Sequence, residues 1–90
     1  MASVVPENRL VRISGDAEAV LGRLREPLLD ALNGRRRYYV VEVESVGRVG
    51  EILVRITGSE GRLPLLFATD EQEPGYVSRV VRDTVDRFGL

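Results

Sequence analysis

The residues with the clearest potential for chemistry lie in the stretch GRRRYY, which runs from Gly34 to Tyr39. Arginine offers forked hydrogen-bond donors that match phosphate, and an exposed tyrosine ring can stack on an unpaired base. One interpretation is therefore a nucleic-acid-binding patch made of Arg35, Arg36, Arg37 and Tyr38. The other is a solvated loop that leads into a half-buried strand, because runs of charge usually face water.

The two tyrosines help to choose between these interpretations, since successive side chains of a strand point to opposite faces. Tyr39 shares its side of the strand with Val41 and Val43, which predicts that its ring enters the core. Only Tyr38 then remains outside, next to Arg36. We therefore favour the loop interpretation and keep nucleic-acid binding as the alternative.

Oxygen ligands for a metal ion are concentrated in the acidic stretch 70–73 and at Glu42 and Glu44. Carboxylates can hold Mg²⁺ or Ca²⁺. However, their spacing matches no EF-hand loop, and acidic residues are favoured at the start of a helix for electrostatic reasons alone. We predict a structural role for these acids and no metal site.

Catalysis has few side chains to draw on, because the chain of 90 residues contains no His, Cys or Lys. The usual general base near neutral pH, the thiol nucleophile and the Schiff-base amine are thus all missing. We predict a protein that is not an enzyme and has no cofactor or small-molecule substrate. All 13 basic residues are arginine, which suggests a GC-rich bacterial genome.

Charge and hydropathy narrow the range of partners. The formal net charge of −1 and the isoelectric point near 5.4 argue against a general polyanion binder. No apolar run approaches the ~20 residues that span a bilayer, and the start of the chain lacks the pattern of a signal peptide. We predict a cytoplasmic protein with a flexible arm at residues 1–7 and a single domain at residues 8–90.

Hydrophobic periodicity predicts the elements that position these residues. A strand is expected at residues 8–13, and a helix is expected from Asp16 to the stop signal at Asn33, kinked or split at Pro27. Three strands follow, separated by loops at 47–50 and 58–61. A last helix begins near Pro74, ends at Gly89 and turns inward the stripe Val77, Val80, Val81, Thr84 and Phe88.

The order β-α-β-β-β-α predicts an α+β fold, a two-layer sandwich whose antiparallel three-stranded meander carries the helices on one face. If each loop closes symmetrically, Val46 faces Glu51 and Thr57 faces Arg62. Nine apolar residues then share the inner face: Tyr39, Val41, Val43, Ile52, Val54, Ile56, Leu63, Leu65 and Phe67. Pro64 lacks an N–H donor, so the third strand of the meander should lie at an edge.

One loop and the order of the elements each resemble a feature of an RNA-binding fold. The loop GRVG at 47–50 is similar to the GxxG clamp of KH domains, but it joins two strands here instead of two helices. The order α-β-β-β-α over residues 16–88 resembles that of double-stranded-RNA-binding domains. Those domains hold phosphates with basic residues at the start of the last helix, where this chain has Asp70, Glu71 and Glu73. We assign the chain to neither family.

The outer face of the meander is the strongest candidate site. Under the predicted register it carries more apolar residues than a solvated face should, and Leu53 lies opposite Leu66. The predicted binding residues are Tyr38, Val40, Leu53, Leu66 and Ala68, with Arg36 and Arg55 at the rim. The sequence thus predicts a protein-protein interaction module that binds another protein or a second copy of itself. The alternative is that the N-terminal arm, through Val4 and Val5, covers this face.

Overall fold

The computed structural model describes residues 10–16, 18–47 and 50–90. Its helices and strands, in chain order, are β1 (Val11–Gly15), α1 (Glu18–Leu32), β2 (Tyr39–Val46), β3 (Glu51–Gly58), β4 (Gly61–Phe67) and α2 (Pro74–Phe88). A 3₁₀ turn at Thr69–Glu71 precedes α2. A four-stranded sheet and two helices thus form a small α+β domain. The predicted flexible arm, with Val4 and Val5, lies outside the described residues.

The first strand lies later in the chain than predicted. The expected strand was 8–13, whose first two residues are outside the described part, and β1 spans Val11–Gly15. It pairs in parallel with β2, with Val11 opposite Tyr39. Parallel neighbours need a long crossover connection, and α1 provides it. The sheet, in the order β1-β2-β3-β4, is therefore mixed.

The antiparallel registers agree with the prediction. Val46 lies opposite Glu51, and Thr57 lies opposite Arg62, although positions 48 and 49 of the first loop lie outside the described residues. Seven of the nine predicted inner residues are buried, while Leu63 and Leu65 are half-buried against the core. These two leucines lie on β4. This strand also contains Pro64, and it lies at an edge of the sheet, as predicted.

Pro27 does not divide the first helix. One helix runs from Glu18 to Leu32, and the pyrrolidine ring is itself buried. The apolar stripe continues on both sides of the proline, where Leu24 and Leu28 are fully buried. Burying each leucine contributes about 1.5–3 kcal/mol, which together offsets the ~3 kcal/mol cost of proline inside a helix. Of the two alternatives predicted for Pro27, the split into two short helices was wrong, because packing outweighs that local penalty; the kink stays a prediction.

The second helix begins at Pro74 and stops at Gly89, whose φ of 69° is left-handed and suits glycine. Its buried residues are Val77, Ser78, Val81 and Val85. The predicted inward position of Phe88 was wrong, since its side chain is 61% exposed. Gly89 turns the chain back at this point, and Leu90 becomes buried in its place.

Neither helix of the described part combines the length and the apolar character needed to cross a membrane.

Candidate interaction face

The face of the sheet opposite the core, here called the outer face, is built from the alternate residues of all four strands. The strand registers arrange them in four rows across the strands. The first row is Arg12, Val40, Thr57 and Arg62; the second is Ser14, Glu42, Arg55 and Pro64; the third is Glu44, Leu53 and Leu66; the fourth is Val46 and Glu51. Because β1 pairs with β2, the face is one strand wider than the predicted meander.

The predicted apolar residues of this face are accessible to a partner. Tyr38 is 70% exposed, Val40 43% and Leu66 58%, whereas Leu53 and Ala68 are half-buried. Leu53 and Leu66 are directly opposed, as predicted. Val40 lies two rows away from them, with the charged second row between. The structure thus brings together two apolar spots instead of one continuous patch.

The ion pair on this face differs from the cross-strand pair suggested by the register. Glu42 does lie opposite Arg55. Nevertheless, Arg55 Nη1 contacts Glu44 Oε1 at 2.8 Å, across the diagonal. A diagonal neighbour is within reach of a long side chain, so Arg55 leans toward the third row. Glu42 forms no ion pair with any residue that the structure describes.

Two arginines of the GRRRYY stretch form intramolecular hydrogen bonds. Arg35 donates from Nε to the carbonyl of Ala31 at 3.1 Å and from Nη1 to Asp86 Oδ1 at 2.6 Å. This hydrogen bond raises the pKa of Arg35 and lowers the pKa of Asp86. Arg37 donates from Nη1 to the carbonyl oxygen of Leu90 at 2.8 Å. The loop before β2 is thus fixed to the end of α2.

The tyrosines occupy the sides that alternation predicts. Tyr39 is 1% exposed, and its hydroxyl donates to the Leu90 carbonyl oxygen at 2.7 Å. Tyr38 projects into solvent, and Arg36, with a left-handed φ of 59°, is exposed as well. Within the described ranges, Arg36 has no hydrogen-bond or ion-pair partner. Of the predicted nucleic-acid patch, Arg36 and Tyr38 therefore remain free to contact a partner.

Two arginines of this face, Arg12 and Arg62, are not in the predicted set of binding residues. Both are exposed and flank Val40 and Thr57 at the two ends of the first row. Neither has an acidic partner in the part of the chain that is described. The hairpin register already placed Arg62 on this face, whereas Arg12 required the position of β1.

Within the acidic stretch before α2, Glu71 has a local structural role. Glu71 Oε1 accepts a hydrogen bond from the Ala68 backbone N–H at 2.9 Å. Gln72, which is buried, donates to the carbonyl oxygen of Gly50 at 2.7 Å and accepts from Arg23. Residues 10–16, 18–47 and 50–90 contain no group of three or more His, Cys, Asp or Glu side chains arranged to hold a metal ion.

The helices meet through polar contacts on the opposite side of the molecule. Asp30 of α1 accepts hydrogen bonds at 3.1 Å from Ser78 and from Arg82 of α2. Arg82 also donates to the Ser78 hydroxyl. These contacts join the two helices and pair Asp30, Ser78 and Arg82 with one another.

Comparisons with protein-family models, with curated proteins and with solved structures return no match to this chain. The case for a function therefore rests on the residues of the outer face.

Proposed function

We propose that the protein is a small non-enzymatic interaction module of the cytoplasm that binds another protein, or a second copy of itself, through the outer face. The observation that carries this proposal is the opposed pair Leu53 and Leu66, with Leu66 58% exposed on a sheet face that no helix covers among the described elements. An adaptor, an inhibitor or a subunit of an assembly would use such a face.

Burial of the leucine pair by a partner would supply binding energy. Moving an exposed leucine side chain out of water contributes up to about 1.5–3 kcal/mol. The free domain gains little of this from Leu66, because more than half of the residue still faces solvent. A partner that packs on Leu53 and Leu66 would gain the remainder.

The rim of the face has the residue types that often anchor interfaces. Tyrosine and arginine are enriched among residues whose loss weakens binding most. Tyr38 and Arg36 are exposed at one end of the face, and Arg55 is half-exposed near its centre. Tyr38 and Arg36 border the apolar contacts with groups that form hydrogen bonds, as the polar rim of an interface does. Arg55, which was expected at the rim, lies instead between the two apolar spots.

Binding on the face is favoured over strand addition at the β4 edge. Pro64 lies on this edge strand, and its ring nitrogen has no hydrogen to donate. Proline on an exposed edge is a common protection against pairing with another strand. The partner is therefore expected to contact side chains instead of continuing the sheet at β4.

The test compares Leu66→Glu with the unmodified protein. Light scattering on a sizing column shows whether the protein self-associates; if it does not, an affinity-captured partner is identified and its binding to the purified protein measured. Leu66→Glu is expected to abolish either association, because the carboxylate would be desolvated in the interface. The circular dichroism spectrum should be unchanged, since position 66 is exposed.

Phe88→Glu is the matched control, because it places the same charge at an exposed aromatic residue on the end of α2. It should leave association intact. Loss of binding in both variants, or in neither, would reject the outer face as the binding surface.

Nucleic-acid binding remains the second candidate because Tyr38 and Arg36 are exposed beside each other. It is less favoured because Arg35 and Arg37 already bind groups at the end of α2. Phosphate contacts would make the affinity fall steeply with salt. An oligonucleotide titration at two salt concentrations, with Arg36→Ala as the variant, therefore tests this candidate. Binding that is salt-dependent and lost in the variant would place it first.

A further inference from the structure

The cations of the outer face fall into two groups. Arg55, in the second row, is neutralised by Glu44 at 2.8 Å. Arg12 and Arg62, at the two ends of the first row, have no acidic partner within the described ranges. Surface charges that a partner complements steer its approach and help to select it. We therefore expect the first row to bind negatively charged groups of a partner.

The geometry of this row sets the spacing of those negative charges. Arg12 is on β1 and Arg62 is on β4, so three strand spacings separate them. At about 4.8 Å per spacing their backbones are roughly 14 Å apart. Between them lie Val40, which is 43% exposed, and Thr57, which is half-buried.

An extended peptide advances about 3.3 Å per residue, so positions i and i+4 are roughly 13 Å apart. We propose, on the premise that the outer face binds protein, that the partner contributes an extended segment with two carboxylates four residues apart and an apolar residue midway. The segment crosses the strands, its carboxylates pair with Arg12 and Arg62, and its apolar side chain packs on Val40 beside Tyr38. The leucine pair two rows away takes another part of the same partner.

A nucleic acid fits this face less well. Glu42, in the next row, is exposed and has no ion-pair partner in the described residues, and Glu44 lies beyond it. A polyanion placed on Arg12 and Arg62 would lie against these carboxylates, and the net charge of −1 offers no compensating field. A short peptide with only two acidic residues, placed over Arg12 and Arg62, keeps its carboxylates away from Glu42 and Glu44.

A second copy of the chain fits less well for the same reason. A two-fold axis along the strands through the centre of the face would set Glu42 of one copy against Arg55 of the other, but it would also set Arg12 against Arg62. An axis across the strands through the second row would set each Glu42 and each Arg55 against itself. Both arrangements oppose like charges, so a different protein is the occupant that the face favours.

The experiment uses a blocked synthetic peptide containing Glu-Ser-Leu-Ser-Glu, titrated into the ¹⁵N-labelled full chain and followed by amide chemical shifts. We expect shifts centred on Val40 and Thr57, and an affinity that falls about threefold or more when both glutamates become glutamine, because two exposed ion pairs are lost. The double variant Arg12→Glu with Arg62→Glu should lose the glutamate peptide and instead prefer Arg-Ser-Leu-Ser-Arg.

Arg25→Glu with Arg87→Glu is the matched control, since both residues are exposed on the helices and the net charge changes equally. It should bind the glutamate peptide as the unmodified protein does. Equal affinity for the glutamine peptide, or equal loss in the control, would overturn the proposal. Tighter binding of a decathymidylate strand, lost in the Arg12 and Arg62 variant, would overturn it in favour of nucleic acid.

The same variants separate this proposal from its premise. If the protein associates and Leu66→Glu abolishes that association while the Arg12 and Arg62 variant retains it, the face binds protein but the two carboxylates are not part of the contact. If neither variant affects association, both the face and the segment are wrong.

Discussion

The two faces of the sheet are made by the same strands, yet they have different compositions. On the inner face, Val41, Val54 and Ile56 are completely buried. Among the described residues, no charged side chain of β2, β3 or β4 is buried. On the outer face, exposed valine and leucine alternate with arginine and glutamate. Folding explains the first composition, because burial of apolar area is its main driving force. It does not explain why Leu66 is exposed opposite the half-buried Leu53, which is why the proposed function rests on this pair.

A second contrast lies within the arginine run. It likewise separates residues that stabilise the fold from a residue that is available to a partner. Arg35 and Arg37 bind a carboxylate and a carbonyl oxygen at the end of α2. Arg36 between them has no such partner in the described part of the chain. Neighbouring residues of one type thus divide into those that the fold uses and one that a partner can use.

The largest expected effect on stability comes from comparing Ile56→Ala on the inner face with Leu66→Ala on the outer face. Ile56 is 0% exposed, and its truncation leaves a cavity, so the free energy of unfolding should fall by about 2–5 kcal/mol. Leu66 is more than half exposed and should cost well under half as much. Urea denaturation of both variants measures the difference. Similar losses would mean that the outer face also stabilises the fold, and the functional argument from Leu66 would fail.

A smaller effect distinguishes the adjacent tyrosines. Tyr39→Phe removes the buried hydroxyl that donates to the Leu90 carbonyl oxygen and should cost about 0.5–1.5 kcal/mol. The loss is moderate because Arg37 still donates to the same oxygen. Tyr38→Phe is the control and should leave the midpoint of thermal unfolding unchanged. A Tyr38→Phe loss as large as that of Tyr39→Phe would contradict the assignment of the two rings to opposite sides.

The antiparallel part of the fold followed from the sequence, since the alternation of apolar residues and two short loops determine register together. Leu53 and Leu66 could be paired on this basis alone. The position of β1 could not be predicted, because no turn links two parallel strands and fixes their register. Arg12 therefore remained outside the predicted site, although Val40 beside it was included.

Contacts made at long range were also beyond sequence reasoning. Arg35 and Asp86 are 51 positions apart, and nothing local indicates that they meet. The exposed position of Phe88 has the same origin. Helical periodicity turns Phe88 inward, but the left-handed Gly89 ends the helix and brings Leu90 into the core. Periodicity describes one element at a time, whereas the ends of elements depend on their neighbours.

The smallest expected effect concerns Arg35, one of the two arginines of the run that bind the end of α2. The hydrogen bond from Arg35 lowers the pKa of Asp86. A carboxylate with a lowered pKa in the folded state stabilises the fold above its unfolded pKa, which is about 4, and loses that contribution as the pH falls through the folded pKa. Asp86→Asn should therefore be less stable than the unmodified protein at pH 7, and the difference should disappear toward pH 2.

Because Asp86 is at the surface, the difference at pH 7 will be small and should shrink further in high salt. Arg36→Ala is the control on the arginine side, since its side chain has no acidic partner in the described ranges and its removal should leave the pH profile unchanged. Thermal unfolding from pH 2 to pH 7 measures both. If Arg36→Ala altered the profile as Asp86→Asn does, Arg36 would also belong to the fold, and the arginine run would offer a partner only Tyr38.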